Sequence, residues 1–270
     1  MINNNLKISV ITPSLNQGEF IEENIFSVLE QGYPNFEHII VDGGSTDNTV
    51  NILKKYSHLM WESEQDRGQS HAFNKGLVKA SGNIICWLNS DDMLIEKAFH
   101  KLNSYFYSHP HVKIVTGNYC TIDETGNFLQ RNIAQKLDYT GLLNGRYCVQ
   151  QPSTFFRREV FDTIGMLDES YHYAMDHEFW IRALKKYEHF VITEDLALFR
   201  KYSENKTSSS EIKFINEIFK SKLKHNGKIF VLDNLRLIFM YVKEPFKRIP
   251  KLRKFVRKIK GANPDYTHYN

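Results

Sequence analysis

The sequence predicts an α/β fold, with a mostly parallel sheet flanked by helices. Short apolar runs alternate with segments of helical periodicity along the first half of the chain. The 270 residues are enough to bury one large α/β core, and 41% apolar and 24% charged residues are ordinary for a globular protein. Since strands that alternate with helices usually pair in parallel, these observations indicate a parallel sheet with right-handed crossovers.

In the first half, each apolar run is predicted to be a strand and each amphipathic segment a helix. The predicted strands span residues 8–12, 36–44, 58–62, 83–88 and 112–118, and the predicted helices span residues 20–31, 47–56, 68–80 and 93–106. Ile21, Ile25 and Val28 recur at the four- and three-residue steps of a helix. Gly82 is a stop signal after the third helix.

The second half of the chain has a different pattern. We predict a hairpin around Gly126, a strand that passes into a helix over 152–161, a helix over 177–187, and strands over 189–194 and 196–202. The polar run 203–210 predicts a loop, and helical stretches over 211–224 and 228–242 predict a C-terminal helical appendage.

The net charge of +4 conceals a strongly basic tail. Residues 243–260 contain nine Lys or Arg and one Glu, a balance of +8 that leaves the remaining chain at −4. Apolar residues recur between these cations at steps of three and four, a pattern typical of helical pieces on an anionic membrane surface. A basic helix packed on the domain, or a contact between subunits, would give the same pattern.

The sequence also indicates the cellular compartment of the protein. No apolar run approaches the roughly 20 residues of a membrane-spanning helix, and the N-terminal residues do not have the pattern of a signal peptide. Cys86, Cys120 and Cys148 are odd in number and widely spaced, unlike a disulfide framework or a zinc site. We therefore expect a cytoplasmic protein, peripheral on the inner face of the membrane if the tail binds there, with no nucleic-acid partner.

Polar, turn-forming groups follow three of the predicted strands. They are Pro13-Ser14-Leu15-Asn16, Asp42-Gly43-Gly44-Ser45 and Asn89-Ser90-Asp91-Asp92. Since ligands of open parallel sheets bind beyond the carboxyl ends of the strands, these groups predict one binding rim. The glycines match neither the GxGxxG of dinucleotide-binding proteins nor a P-loop.

Two carboxylate clusters have both a chemical and a structural interpretation. Asp91 and Asp92 repel each other, and Mg²⁺ or Mn²⁺ bridging to phosphate would relieve the repulsion; alternatively, Asp92 caps the helix predicted over 93–106. Asp176 lies among aromatic residues that suit a sugar-binding face and would raise the pKa of its carboxyl toward that of a general base. Alternatively, Asp176 is only a helix cap.

Two further segments remain ambiguous. Asp42 can accept hydrogen bonds from a base or a ribose, or it can simply shape the turn that follows. Arg67, after Asp66, can pair with a diphosphate, or it can form an ordinary surface ion pair.

These segments together resemble the family 2 glycosyltransferases, which have a GT-A fold. The matching runs are ISVITPSLNQGEFIEENIFSVLEQGYPNFEHIIVDGGSTDNTV, SEQDRGQSHAFNKGL, GNIICWLNSDD, QPSTFFRREVF and GMLDESYHYAMDHEFWIRAL, over about residues 6–200. Each run alone is weak evidence, whereas the series in this order and spacing is highly specific. The resemblance implies an inverting, metal-dependent transferase that moves a sugar from a nucleotide sugar, a UDP- or dTDP-sugar, to a glycan or lipid-linked acceptor in bacterial surface polysaccharide synthesis.

The resemblance also implies roles for individual residues. Those expected at the nucleotide sugar are Pro13, Ser14, Asn16, Asp42, Asp66, Arg67 and Asp91. Asp92 would ligate the Mn²⁺ or Mg²⁺, and Asp176 would be the catalytic base. Tyr202 stands where many relatives have a His after the last strand, which leaves open whether Tyr202 contacts phosphate or metal.

By the same resemblance, residues 1–204 form the GT-A domain, with a nucleotide-sugar half at 1–118 and an acceptor half at 119–204. Residues 205–270 form the appendage. A Gln-x-x-Arg-Trp motif of processive synthases is absent from the sequence, so we expect addition of one or a few sugars. The alternative is a degenerate transferase that binds a nucleotide or a membrane without turnover. The sequence names neither the sugar, the base nor the acceptor.

Overall fold

A computed structural model describes residues 5–145, 149–202 and 211–228 of the chain. The predicted loop 203–210, the predicted helix after residue 228, Cys148 and the basic tail 243–260 lie outside the described residues. Among the described helices, none combines the length and the apolar character that crossing a membrane requires.

The described strands form one mixed nine-stranded sheet. They are β1 (Ile8–Ser14), β2 (Phe36–Asp42), β3 (Leu59–Ser63), β4 (Ile84–Trp87), β5 (Met93–Leu94), β6 (Ile114–Ile122), β7 (Phe128–Asn132), β8 (Thr154–Arg157) and β9 (His189–Arg200). Their order is β3-β2-β1-β4-β8-β6-β9-β5, and β7 pairs with β6. Strands β1 to β4 pair in parallel, β8 is antiparallel to both its neighbours, and β6 and β9 are parallel. The predicted α/β fold is confirmed.

Helices cover both faces of this sheet. They are α1 (Ile21–Leu29), α2 (Thr49–Leu53), α3 (Gln69–Lys79), α4 (Ala98–Ser108), α5 (Tyr139–Asn144), α6 (Arg158–Ile164), α7 (Met175–Lys186) and α8 (Glu211–Lys224). Alternate residues of β1 point into two cores, Ile11 toward α3 and α7 and Val10 toward α4. Helix α3 lies close on β1 because Gly76 has no side chain: a Cβ there would lie 2.5 Å from Ile11 Cγ2.

The start of α4 and the course of β9 differ from the prediction. The helix predicted over 93–106 begins only at Ala98, because the residues before it form β5 and pair with β9. The prediction that Asp92 caps this helix is therefore wrong, and Lys97 is its N-cap residue. The two strands predicted over 189–202 are one continuous strand, β9. The predicted border at residue 118 falls inside β6, so both halves share one sheet.

The strand order creates a crevice beside β1. The chain proceeds outward from β1 through β2 to β3 and then returns to β4 on the other side of β1. The segments that follow β1 and β4 therefore leave the sheet at a topological switch point, where open α/β sheets bind their ligands.

His189 provides a prediction about stability below neutral pH. Its Nδ1 accepts a hydrogen bond from the Leu137 N–H at 3.0 Å, and its Nε2 bonds Thr116 Oγ1 at 2.8 Å, so only the neutral ring fits. Burial, with repulsion from Lys136, lowers the pKa of His189 to about 3. The unfolded chain takes up the proton as the pH falls through about 6.5, whereas the folded chain does so only near 3.

We therefore expect the free energy of unfolding to fall as the pH falls from about 6.5 toward 3, by at most ~1.4 kcal/mol per pH unit from this ring. Urea denaturation between about pH 6.5 and pH 5 measures the slope, which should be shallower in His189→Gln. Exposed His111→Gln is the matched control. Equal slopes for wild type and His189→Gln would contradict the assignment.

Candidate active site

A cleft of about 400 Å³ opens at the switch point. It is lined by β1 and the residues after it, the segment before α3, β4 and the residues after it, and the start of α7. Five of the predicted site residues line it, namely Pro13, Ser14, Asp66, Asp91 and Asp176. Four others are not among the described lining residues, namely Asn16, Asp42, Arg67 and Asp92. The structure thus brings the two predicted carboxylate clusters to one cleft.

Asp91 and Asp92 differ in what they face. Asp91 lines the cleft, and its Oδ2 accepts a hydrogen bond from Tyr202 Oη at 3.1 Å. Asp92 is completely buried, and its carboxylate accepts hydrogen bonds from the Arg200 N–H at 3.1 Å and the Asn89 amide at 3.3 Å. Burial raises the pKa of both carboxyls, and repulsion from Asp91 raises the pKa of Asp92 further. Asp91 is therefore the carboxylate that a ligand in the cleft can reach.

Asn89 joins four side chains around the cleft. Its Oδ1 accepts hydrogen bonds from Gln69 Nε2 at 2.8 Å and Trp87 Nε1 at 3.0 Å. Its Nδ2 donates to Gln151 Oε1 at 3.0 Å and to Asp92. The Asn89 amide accepts with its oxygen and donates with its nitrogen, and an ionised aspartate at this position could not donate. Asn89 thereby connects the end of β4 with α3 and with the segment before β8.

The end of β9 supports the same carboxylates from behind. The buried Arg200 guanidinium donates to the backbone oxygens of Asp91 at 3.2 Å and Glu124 at 2.7 Å, and it pairs with Glu23. Two residues later, Tyr202 Oη donates a hydrogen bond to Asp91, and whether Tyr202 also contacts phosphate or metal stays open. Burial, together with the nearby charge of Asp91, raises the pKa of Tyr202, so its hydroxyl stays protonated and donates.

On the other side of the cleft, Ser14 and Asp42 end two neighbouring strands. Ser14 Oγ is buried and has no hydrogen-bond partner among the described residues, which suits a polar group of a ligand. The buried Asp42 carboxylate accepts hydrogen bonds from the N–H groups of Gly44 at 3.2 Å and Ser45 at 2.9 Å, and from Ser63 Oγ at 2.6 Å. It shapes the turn after β2, and its contact with a nucleotide stays a prediction.

Asn16 and Arg67 make structural contacts outside the cleft lining. Asn16 adopts a left-handed conformation with φ of 52°, and its Oδ1 accepts a hydrogen bond from the Thr46 N–H at 2.9 Å. Arg67 forms an ion pair with Glu169 at 2.6 Å. This is the ordinary surface ion pair that the sequence left open for Arg67, and a diphosphate contact stays a prediction.

Asp176 lies half-buried in the first turn of α7. Its Oδ1 accepts a hydrogen bond from the His177 N–H at 2.7 Å, while Ala174 is the N-cap residue of the helix. Tyr173 lines the cleft together with Asp176, whereas the neighbouring Trp180 is buried in the core. Of the aromatic residues around this cluster, Tyr173 is thus the one at the cleft that a sugar can contact.

Sequence reasoning missed several residues of the site. Gln69, Asn89 and Gln151 lie within the matching runs, and the hydrogen bonds that they share give them a role that those runs did not predict. Phe199 also lines the cleft, next to Arg200 at the end of β9. The polar run that begins at Asn89 was a signal for that residue, whereas the sequence offered no comparable signal for Gln151.

Comparisons with known structures identify the fold. A crystal structure of S. aureus TarS in complex with UDP matches 90% of this chain and 72% of its own, with a TM-score of 0.63 and 20% identity. A mannosyltransferase from Pyrobaculum calidifontis in complex with GDP-Man and Mn²⁺ matches 83% of this chain and 65% of its own, with a TM-score of 0.61 and 19% identity. The fold is that of the GT-A glycosyltransferases.

The sequence comparisons then give the family. Residues 9–203 match the family model Glycosyl transferase family 2, and the chain belongs to that family. It is similar to a putative teichuronic acid biosynthesis glycosyltransferase of Bacillus subtilis, with 43% identity over 32% of this chain and 36% of the relative. It is also similar to a PGL/p-HBAD biosynthesis glycosyltransferase of Mycobacterium bovis, with 29% identity over 68% of this chain and 74% of the relative. An uncharacterized glycosyltransferase of Haemophilus influenzae matches at 33% identity over 51% of this chain and 57% of its own length.

Proposed function

We propose that this protein transfers a sugar from a nucleotide-sugar donor to a glycan or lipid-linked acceptor, with inversion at the anomeric carbon, in bacterial cell-surface polysaccharide synthesis. One observation carries the proposal: Asp91 and Asp176, from the two separate carboxylate clusters, line the same cleft at the switch point of the sheet. With a donor in this cleft, Asp91 would lie at the diphosphate, and Asp176 would lie at the attacking hydroxyl of the acceptor.

The donor's nucleotide would lie beside β1. Ser14 supplies a buried hydroxyl that has no partner among the described residues, and Asp66 supplies a carboxylate at the same cleft. The structural relatives support a nucleotide ligand, since TarS was crystallised with UDP and with UDP-GlcNAc and the Pyrobaculum enzyme with GDP-Man. We propose a UDP- or dTDP-sugar as the donor.

A divalent cation, Mn²⁺ or Mg²⁺, fits beside Asp91. Burial disfavours the charge of this carboxylate, and a cation would compensate it. Mg²⁺ is commonly held by one or two carboxylates together with substrate phosphates, so a single carboxylate at the cleft is an adequate protein ligand. We propose that Asp91 coordinates the cation, rather than the buried Asp92 that the sequence suggested. When bound, the cation would stabilise the negative charge of the departing diphosphate.

In the proposed reaction, the acceptor hydroxyl oxygen forms a bond to the anomeric carbon of the donor sugar. Its proton passes to the Asp176 carboxylate, which acts as the general base. The bond between the anomeric carbon and the diphosphate oxygen breaks, and the nucleoside diphosphate leaves with the bonding electrons. One displacement on the face opposite the leaving group inverts the configuration.

The biological role rests on the relatives. The names of the Bacillus and Mycobacterium relatives refer to teichuronic acid and PGL/p-HBAD biosynthesis. Relatives in cell-surface polysaccharide biosynthesis support a glycan or lipid-linked acceptor for this chain.

A donor screen tests the proposal. The full chain is mixed with UDP-, dTDP- and GDP-sugars, with Mn²⁺, Mg²⁺ or EDTA, and its thermal stability and the release of nucleoside diphosphate are measured. We expect one donor to stabilise the chain with metal and to be hydrolysed slowly, because water can replace the acceptor. Stabilisation without any release would favour the degenerate, binding-only alternative, and no response to any donor would contradict nucleotide-sugar binding.

A membrane role for the basic tail 243–260 rests on the sequence alone. We propose that it holds the enzyme at an anionic membrane, where a lipid-linked acceptor would lie. The full chain should pellet with anionic vesicles and remain in solution with neutral ones, whereas a 1–242 truncation should remain in solution with both. Equal pelleting of both proteins with anionic vesicles would contradict the proposal.

A further inference from the structure

Helix α8 lies outside residues 9–203, the part of the chain that matches the family model. It nevertheless packs against α7, the helix that carries Asp176, and against the segment 168–174 that leads into α7. The contacts of α8 therefore bear on how the proposed base is held.

Glu217 of α8 makes the most concentrated of these contacts. Its carboxylate accepts hydrogen bonds from three consecutive backbone N–H groups, those of His172 at 2.9 Å, Tyr173 at 2.7 Å and Ala174 at 2.9 Å. Hydrogen bonds from N–H groups to an ionised carboxylate are shorter and stronger than bonds between neutral groups. Tyr173 lines the cleft, and Asp176 follows Ala174 by two residues.

Other contacts tie the two flanks of this segment to the same helix. Lys220 Nζ donates to Ser170 Oγ at 3.2 Å, ahead of the three N–H groups. Beyond them, His177 Nδ1 bonds Ser221 Oγ at 2.6 Å, and Lys224 pairs with the buried Glu178 at 2.8 Å. These contacts attach α8 to α7, whereas Glu217 holds the backbone just before the base.

Helix α3 and the residue before it contact the start of the same stretch. Ser70 Oγ donates to the Tyr171 oxygen at 3.0 Å, and Asn74 bonds both the N–H and the oxygen of Leu167. The His172 ring lies close to Gly68, since a Cβ at residue 68 would be 3.2 Å from His172 Nδ1. The backbone before Asp176 is thus held by contacts with both α3 and Glu217.

We propose that Glu217 is a positioning residue that sets the place of Asp176 in the cleft, through the backbone of residues 172–174. The proposal rests on the proposed function of Asp176 as the general base. Loss of the Glu217 carboxylate leaves three N–H groups without their acceptor, and the segment shifts. A displacement of about 1 Å at a reacting group lowers the rate by up to roughly 100-fold, with little effect on a donor bound by other residues.

The test uses the full chain and the donor UDP-GlcNAc, or another nucleotide sugar that the screen shows to be hydrolysed, with Mn²⁺. Glu217→Ala should lower kcat for nucleoside diphosphate release by roughly 10- to 100-fold and leave the KM for the donor within about twofold. Glu217→Gln keeps one acceptor oxygen and should recover part of the rate. Asn216→Ala, at an exposed position next to Glu217 on the same helix, is the matched control and should stay within about twofold of wild type.

Two further measurements separate positioning from a general loss of structure. In an Asp176→Asn background, Glu217→Ala should change the remaining rate by no more than about twofold, because the base through which it acts is gone. Hydrogen–deuterium exchange should become faster at the amides of residues 172–174 in Glu217→Ala. This exchange reports on the contact independently of any donor.

Each contrary outcome has a distinct meaning. Equal loss of rate in both backgrounds would show a merely structural role for Glu217, and unchanged exchange at 172–174 would show that the contact does not form; either overturns the proposal. If the wild-type chain releases nucleoside diphosphate and Glu217→Ala equals it, this inference alone fails. If the wild-type chain releases none from any donor, the proposed function fails, and the positioning role falls with it.

Discussion

Replacement of Asp176 by asparagine is expected to lower the rate of sugar transfer by about 10²- to 10⁴-fold, the usual effect of losing a general base. Asparagine has nearly the same size and keeps an oxygen for the His177 N–H, which bonds Asp176 Oδ1 at 2.7 Å. The start of α7 should therefore keep its structure, and donor affinity should stay within about twofold of wild type, since only the proton acceptor is lost.

Isothermal titration with the donor nucleotide, together with a rate measurement, tests this expectation. Asp162→Asn, on the exposed surface of α6, is the matched control for the same chemical change away from the cleft. A transfer rate near wild type in Asp176→Asn would refute the base. A parallel loss of donor affinity would instead assign Asp176 to donor binding.

The second large effect concerns Asp91. Asp91→Asn removes the charge that faces the cleft, and the loss of a charged contact of about 1.5–3 kcal/mol corresponds to roughly 10- to 150-fold weaker donor binding in Mn²⁺. Turnover should fall with it. In EDTA, wild type and Asp91→Asn should bind the nucleotide with similar, weak affinity, because the difference depends on the cation.

Asp92→Asn is the informative neighbour in this experiment. Asp92 is completely buried, and both burial and the charge of Asp91 disfavour its ionised form. The Arg200 N–H, which donates a hydrogen bond to Asp92, can donate equally well to the amide oxygen of asparagine. We expect a smaller loss of donor affinity than in Asp91→Asn. The reverse order would support the sequence-based assignment of the metal to Asp92.

The parallel part of the fold was predictable because its signals are local. Both β1 and β4 are short apolar runs followed by polar turns, so the meeting of their ends at one cleft follows from pairing in parallel, whereas the turn after β2 is not among the described lining residues. The start of α4 was not predictable in the same way. Met93 and Leu94 fit a helix by periodicity, and only pairing with β9, about a hundred residues later, makes them a strand.

For the candidate site, the sequence singled out carboxylates that line the cleft, but it did not show which of two adjacent carboxylates faces the cleft. Asp91 and Asp92 are adjacent and chemically identical, and their difference arises from Tyr202 and the backbone of Arg200, which reach them from β9. The role of Glu217 depends on packing of α8 against the segment before α7, some 40 residues earlier, and a single sequence has no pattern for such a contact.

The stereochemistry of donor hydrolysis tests the central claim most directly. The full chain with Mn²⁺ is given an α-linked nucleotide sugar from the donor screen, and the anomeric protons of the released sugar are followed by NMR before mutarotation. A single displacement in which Asp176 deprotonates the attacking water predicts that the β anomer appears first, at a rate that falls in Asp176→Asn by about 10²-fold or more. First appearance of the α anomer, or equal release by wild type and Asp176→Asn, would contradict the account.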